Sequence, residues 1–280
     1  MLPARLEIAA KVSQLRDDFR TLGIAVPYSL KRRDPLEPGR KEKEELEDKI
    51  FALFMRQFRK QRAFIRDLLN RVDSTRKAIG DRKPEFYLGF LADDFYTDTK
   101  LIAGFSKLLT TATEHGIELF GAASTVQIDY TLTNARAAKW VSKNSFELIK
   151  GMTRTTKKSL RTIFKSFIDT PGMTIGNVIE LLPFNEARSL MIATTEITRA
   201  YATAAQMAGE DLAKEFPEVR VIKRWWTNND DRVCPICGPL HGTVVDVDEG
   251  FNSIIGSLVQ PPAHVLCRCW INTTTRIIEQ

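Results

Sequence analysis

The sequence predicts an α+β protein, with a mainly helical, elongated body and a small β-rich cap at its C-terminus. Three observations carry this. Up to Pro217 the apolar residues recur at the three-and-four spacing of helix faces, and beyond it they fall in short extended runs. One helical pattern, residues 42–75, would extend about 50 Å at the α-helical rise, long for a globular helix. All four cysteines fall in the last 47 residues, with Gly238, Gly242, Gly250 and Gly256 among them.

The elements follow in order. Leu6, Ile8, Val12, Leu15 and Phe19 suit a helix over 1–22, which Gly23 ends. Residues 24–41 hold Pro27, Pro35, Pro38 and Gly39 among charges and read as a linker or extended arm. The 42–75 helix carries the stripe Ile50, Phe54, Phe58, Ile65, Leu68, Leu69 and Val72. Phe51, Phe54, Phe58 and Phe64 on it must meet either the chain's own helices or a partner, since each large apolar side chain gains about 1.5–3 kcal/mol from full burial. Gly80 to Pro84 breaks the pattern. Helices are expected near 85–95 and across 97–119, the latter ending at Gly116 or Gly121. The alternation over 124–132 suggests a strand. A helix over 133–169, with a possible interruption at Gly151, uses Phe146, Ile149, Leu160, Ile163, Phe164 and Phe167 as its apolar stripe. Pro171-Gly172 stops it, and Thr174 caps a short helix to Leu182. Pro183 and Asn185 open another to about Lys214, with Leu190, Thr194, Ile197, Tyr201, Ala204 and Ala208 on one face. Strands are expected at 219–227, 243–247 and 270–275, with a turn at 228–231 and a loop over 248–260. This organisation divides the chain into a basic helical arm (1–83), a helical connecting region (84–139) and a C-terminal region (140–280) whose Cys/His cap lies at 220–275.

Composition and charge exclude several classes. With 43% hydrophobic and 27% charged residues the chain can build a core and is not broadly disordered. No apolar run reaches the roughly 18 residues of a membrane span, and the N-terminus lacks a signal-peptide pattern. The formal charge is +6, and residues 1–83 carry 21 basic against 13 acidic side chains. The runs 51–83 and 150–165 are the two candidates for nonspecific contact with DNA phosphates, or else solvated helix faces.

The cysteines carry the chemistry. Cys234-Pro235-Ile236-Cys237 is a Cys-x-x-Cys pair, and thirty residues on comes His264-Val265-Leu266-Cys267-Arg268-Cys269. Two clusters of thiol and imidazole donors suit tetrahedral zinc, a structural staple between the turn after one strand and the start of the last. The expected ligands are Cys234, Cys237, His264 and Cys267, with Cys269 as the alternative fourth, since residues two apart on a strand face the same way. The competing reading is four reduced, buried cysteines. His115 and His241 lack such neighbours and are assigned structural roles.

The run Trp226-Thr227, Asp231-Arg232-Val233-Cys234-Pro235-Ile236-Cys237, Leu240-His241-Gly242, Pro261-Pro262-Ala263-His264 and Cys267-Arg268-Cys269 resembles the phage Mu F-like minor head protein family, the phage head morphogenesis domain. Arg188, Met191-Ile192-Ala193, Thr195-Glu196 and Arg199-Ala200-Tyr201 resemble the helix preceding that block. The resemblance covers roughly residues 140–275; Val265 departs from it, standing where the family often has proline. It implies a minor capsid protein of the virion, in the capsid interior or at the portal vertex, present in the host cytoplasm during assembly. The implied partners are the portal protein and other head proteins, and the implied role is in procapsid assembly, DNA packaging or DNA delivery.

No enzyme is expected, nor a small-molecule substrate. Neither a P-loop, a His-Glu-x-x-His nor a Gly-x-Ser-x-Gly pattern is present. Some relatives of the domain are fused to ADP-ribosyltransferases, but the Glu42/Glu44 and Glu45/Glu47 pairs here sit in a helical charge run. The rivals are a nonspecific DNA-binding zinc protein and a zinc-ribbon nuclease using Asp230, Asp231 and His264. Glu196 and Arg199, three apart on a helix, read as an ion pair rather than as catalytic groups.

Overall fold

The computed structural model describes residues 33–73, 83–96, 98–126, 129–228, 230 and 233–277. The helix expected over 1–22, and Asp231 of the expected turn, lie outside the described residues. The elements are α1 (Arg40–Asp73), α2 (Pro84–Leu88), α3 (Asp93–Tyr96), α4 (Thr99–Ala123), α5 (Thr131–Asp169), α6 (Ile175–Leu181), α7 (Glu186–Glu215), β1 (Val219–Trp226), β2 (Val244–Asp246), β3 (Phe251–Ser253), β4 (Gly256–Leu258) and β5 (Trp270–Ile277). The fold is thus mainly helical, with a small antiparallel sheet region near the C-terminus. No described helix is long and apolar enough to cross a membrane. The chain forms two compact units. The described residues of one lie within 1–44, 113–134 and 194–280, and those of the other within 45–112 and 135–193.

The second unit is all helical. On α1 the residues Ile50, Phe54, Ile65 and Leu69 are almost completely buried. Phe54 meets Phe105 of α4 edge-on at 5.5 Å, and Phe58 lies 5.6 Å from Phe184. The aromatic stripe of α1 therefore packs on the chain's own helices, so the partner-docking alternative for Phe54 and Phe58 is overturned. Only Phe64 keeps substantial exposure, at 39%, against Phe95. On α5 the buried stripe runs through Val141, Ser145, Ile149, Leu160, Phe164 and Phe167. It passes through Ser145 and leaves Phe146 56% exposed, which corrects the expected face. Tyr87 of α2 stacks into this stripe 5.2 Å from Phe164. Thr174 caps α6 in a reciprocal capping box with Asn177, as its position before an apolar run suggested. Asn185 does the same for α7, its Oδ1 accepting from the Arg188 amide.

In the first unit β1 is central, pairing antiparallel with β2 and along its whole length with β5, from Val219 opposite Ile277 to Trp226 opposite Trp270. Val219, Val221, Lys223 and Trp225 alternate onto the buried face. That face lies close on α7, where a Cβ on Gly209 would sit 3.0–3.3 Å from Val247, Thr273 and Val221. The stretch expected as a loop over 248–260 contains the hairpin β3–β4. Its turn, Ile254-Ile255, carries no glycine, asparagine or proline, and its strands are three residues each, so no local signal announced it.

Three further expectations are corrected. The strand suggested over 124–132 is absent among the described residues: Asp129 accepts from both the amide and the hydroxyl of Thr131 and so starts α5 there. Residues 33–39 are not an extended linker but a packed turn, with Arg33, Asp34 and Glu37 buried. Gly116 and Gly121 do not end α4, and Gly151 does not interrupt α5. Gly116 is there for proximity: a Cβ would lie 2.7 Å from Ala204 Cβ and 3.0 Å from the Tyr201 carbonyl oxygen. A Cβ on Gly151 would meet nothing within 4 Å. Gly116→Ala should therefore destabilise the protein by about 1–3 kcal/mol through overpacking, whereas Gly151→Ala should stabilise it by about 0.4–1 kcal/mol. Denaturant unfolding of the two variants checks the opposite signs.

Candidate metal centre

The site is assembled by two turns of the first unit. In the first, the amides of Cys237 and Gly238 donate to the Cys234 carbonyl at 3.1 and 2.9 Å, and the Cys237 amide also faces Cys234 Sγ at 3.4 Å. This folds two thiols toward one point, and a 3-10 turn (Gly238–Leu240) follows. The second turn, 264–269, precedes β5. Leu266 takes a left-handed φ of 60° there, unusual for a bulky side chain. Helix α7 holds the turn in that shape: Leu266 N donates to Thr195 Oγ1 at 2.9 Å, and Thr198 Oγ1 donates to the Cys267 carbonyl at 3.0 Å. Arg33 completes the chain, donating to Thr198 Oγ1 at 2.9 Å and to Glu37 Oε1 at 2.8 Å. At the rim, Arg268 pairs with Asp230 at 2.6 Å.

All five expected donors come together. His264 Nε2 lies 3.0 Å from Cys234 Sγ and 3.3 Å from Cys237 Sγ, and Cys237 Sγ lies 3.9 Å from Cys267 Sγ. They form two groups able to hold a metal ion, Cys234/Cys237/His264 and Cys237/Cys267/Cys269, which share Cys237. A tetrahedral ion bound at about 2.3 Å to sulfur and 2.0–2.1 Å to nitrogen separates its ligand atoms by roughly 3.5–3.8 Å, so the 3.9 Å and 3.3 Å contacts nearly match and Cys234 and His264, at 3.0 Å, would part by about half an ångström to admit it. The ring of His264 is oriented for the task, with Nδ1 2.7 Å from the Val265 carbonyl oxygen so that it donates there and Nε2 turns to the sulfurs. Cys237, Cys267 and Cys269 are buried in one apolar cluster with Trp225, Phe251 and Ile271.

The field inside the cluster divides the thiols. Hydrogen bonding from Cys237 brings Cys234 down to about 4 against the opposing effect of burial, and His264 assists. Bonds from Cys237 and Cys269 hold Cys267 well below the ordinary thiol range, although it is buried. Cys237 and Cys269 shift upward, Cys237 through its bonds to Cys234 and Cys267, and Cys269 through burial and its thiolate neighbour Cys267. Burial pulls His264 down, but its contact with Cys234 and the charge of Cys267 carry it up to about 9. Thiolate character is thus favoured at half-buried Cys234 and buried Cys267, with the His264 proton as counter-charge, a role that a divalent cation can take over.

The other sequence candidates fall elsewhere. His241 Nδ1 is 2.8 Å from Thr227 Oγ1 and its ring stands edge-on to Trp226, a structural role. His115 meets the Tyr201 hydroxyl at 3.2 Å. Glu196 and Arg199 form the expected ion pair at 3.3 Å. Asp230 is held by Arg268 and Asn228 and joins no metal-holding group among the described residues.

Sequence reasoning missed Thr195, Thr198, Arg33 and Lys223. The two threonines stand three apart on one helix face, which was a usable signal. Lys223 was not readable as buried. Its ammonium is fully enclosed and donates to Gln206 Oε1, the Val247 carbonyl and the Val259 carbonyl at 2.9–3.0 Å, three acceptors for three N–H groups. It so ties the segment around β3 and β4 to β1.

This fold and centre define a helical protein with a Cys/His-knotted antiparallel cap. Residues 149–272 match the model of the family described as Phage Mu protein F like protein, so this segment is similar to that family. The matched segment contains all five donors. No curated protein and no solved structure matches the chain.

Burial lowers the Lys223 pKa to about 8, partly offset by Glu210, Asp248 and Glu249. The unfolded chain, with an ordinary lysine, binds more protons between about pH 8 and 10.5, so this group makes stability rise with pH across that window. Relative to Lys223→Met, which lacks the titration, the wild type should gain about 3 kcal/mol between pH 7 and 10.5. Urea unfolding of both at several pH values reads the difference.

Proposed function

We propose that this chain is a minor component of the phage head that acts by docking to other head proteins rather than by catalytic turnover, its C-terminal cap held by one structural zinc ion. The observation that carries the reading is that the family-matched segment contains both donor groups, Cys234/Cys237/His264 and Cys237/Cys267/Cys269, which share the buried Cys237. Thiol and imidazole donors select zinc over magnesium or calcium, which take oxygen. Cys267 is the proposed fourth ligand, since its sulfur lies 3.9 Å from Cys237 Sγ, with Cys269 as the alternative. Four protein ligands leave no open position for a substrate, so the ion supplies folding energy and not Lewis-acid chemistry. The family supports a place in the virion; the proposed location is the portal vertex, reached from the capsid interior, with a part in procapsid assembly or DNA delivery.

Protein purified without added metal should carry about one equivalent of zinc per chain by elemental analysis. Less than a tenth of an equivalent, in protein that still folds, refutes the zinc staple. Cys234→Ser should abolish the metal and destabilise the cap by more than about 4 kcal/mol, with hydrogen exchange rising first in β1 and β5. Comparing Cys267→Ser with Cys269→Ser identifies the fourth ligand as the one whose loss releases zinc.

Co-expression with the cognate portal protein should yield a complex that co-migrates on size exclusion at moderate salt, and mass spectrometry should find the chain in purified particles. Absence from both rules out the head-protein reading.

A further inference from the structure

From Arg56 to Arg66 the solvent side of α1 carries basic side chains and no acidic one. Arg56, Arg59 and Arg66 are exposed and Arg62 is half-buried beside them, with the small residue Ala63 between Arg62 and Arg66 and Ala52 one turn before Arg56. Their spacing of three, three and four keeps them on one side of the helix. None of the four has an ion pair or side-chain hydrogen bond among the described residues, in contrast to their neighbours Lys60, which pairs with Asp98, and Arg71, which pairs with Asp67. The basic run on α5 differs in this respect. There Arg161 pairs with Glu85, Lys165 with Asp169, and Lys157 lies 4.7 Å over the Tyr96 ring.

We infer that the arginine ridge Arg56, Arg59, Arg62 and Arg66 of α1 is a contact surface for the sugar–phosphate backbone of double-stranded nucleic acid, used without sequence preference. The ridge extends about 15 Å along the helix, over which one strand of a duplex rises through about four phosphates. Guanidinium forks bond phosphate oxygens in pairs and need no burial to do so. Protein interfaces centre on buried aromatic or aliphatic anchors, and of the apolar side chains between Arg56 and Arg66, Phe58 and Ile65 are buried in the chain's own core and Phe64 packs against Phe95. Phe64, the partly exposed ring between Arg62 and Arg66, is taken up by Phe95 at 5.4 Å, so no free ring is offered for base stacking, and with it goes a preference for single strands.

At one end Arg62, Arg66 and Asn70 form a wall of a cleft of about 360 Å³ whose other side is Ile175, Gly176, Ile179 and Glu180. The Glu180 carboxylate disfavours a small anion trapped inside the cleft that Arg62 and Arg66 line, whereas Arg56 and Arg59 lie outside that cleft. A backbone running along α1 fits this distribution, and a free phosphate does not.

The inference is independent of the portal-vertex reading, because it is tested on the purified full chain with DNA alone. Fluorescence anisotropy of a labelled random-sequence duplex should show binding that weakens about 100-fold between about 50 and 200 mM salt, the slope expected for about four phosphates. Replacing all four arginines by glutamine, at positions where folding is checked by circular dichroism and thermal melting, should reduce affinity at low salt at least tenfold and flatten the salt slope by about three. The control Arg154→Gln/Lys158→Gln on α5 should change neither. Absence of duplex binding by the wild type at low salt overturns the proposal. So does a quadruple variant that keeps its affinity and slope, or a control variant that loses them. A tighter grip on single strands than on duplex also overturns it.

Discussion

Buried backbone groups in the turn before β5 must find partners, and helix α7 supplies them. A turn that presents two cysteines and a histidine inward cannot also run in regular secondary structure, so its amides and carbonyls point away from any ladder. Thr195 and Thr198, one turn of α7, satisfy the Leu266 amide and the Cys267 carbonyl. Two turns further Gln206 bonds the Val247 carbonyl and meets Lys223, and then Gly209 lets the sheet approach closely. Each of these contacts comes from α7, so the position of the cysteines, the floor of the sheet and the approach of the hairpin segment share one support.

The same unit shows how buried charge is handled without a matched carboxylate at each site. Lys223 is enclosed by three neutral acceptors rather than an acid, which keeps the ammonium satisfied while leaving part of its desolvation uncompensated. Arg33 and Lys43 instead converge on one oxygen of Glu37, and Lys43 also lies 4.6 Å over the Tyr201 ring. Removing one member of such a group would strand the rest in an apolar interior, which is why these contacts give specificity of packing more than net stability.

The helical unit has a different logic. Its core is built from aromatic side chains on α1, α2, α4 and α5, and the charged surface of α1 is left over for other purposes. One face of this basic stretch is thereby committed to the interior, while Arg56, Arg59 and Arg66 remain exposed and form no ion pair among the described residues. Core and charge are read from the same helix because residues three and four apart share a face and residues two apart do not.

Much of this was legible in the sequence because it depends on local periodicity. The α1 stripe, the Thr174 cap, the α7 face from Leu190 to Ala208 and the strands around Lys223 and Trp270 all follow from spacing, and the two cysteine clusters follow from donor chemistry. What the sequence could not decide was what each face meets. Whether Phe54 and Phe58 bury against the chain itself or against a partner, and whether Gly116 breaks a helix or permits a close crossing, depend on residues such as Phe105, Phe184 and Ala204 that are distant in the chain. The same holds for Lys223, an ordinary strand lysine until Gln206 and two carbonyls surround it, and for the turn residues Arg33 and Asp34, whose partners Thr198 and Asn228 lie more than 160 residues away. Periodicity reports the geometry of a single element, whereas partner choice is set by long-range packing, and only the tertiary structure contains it.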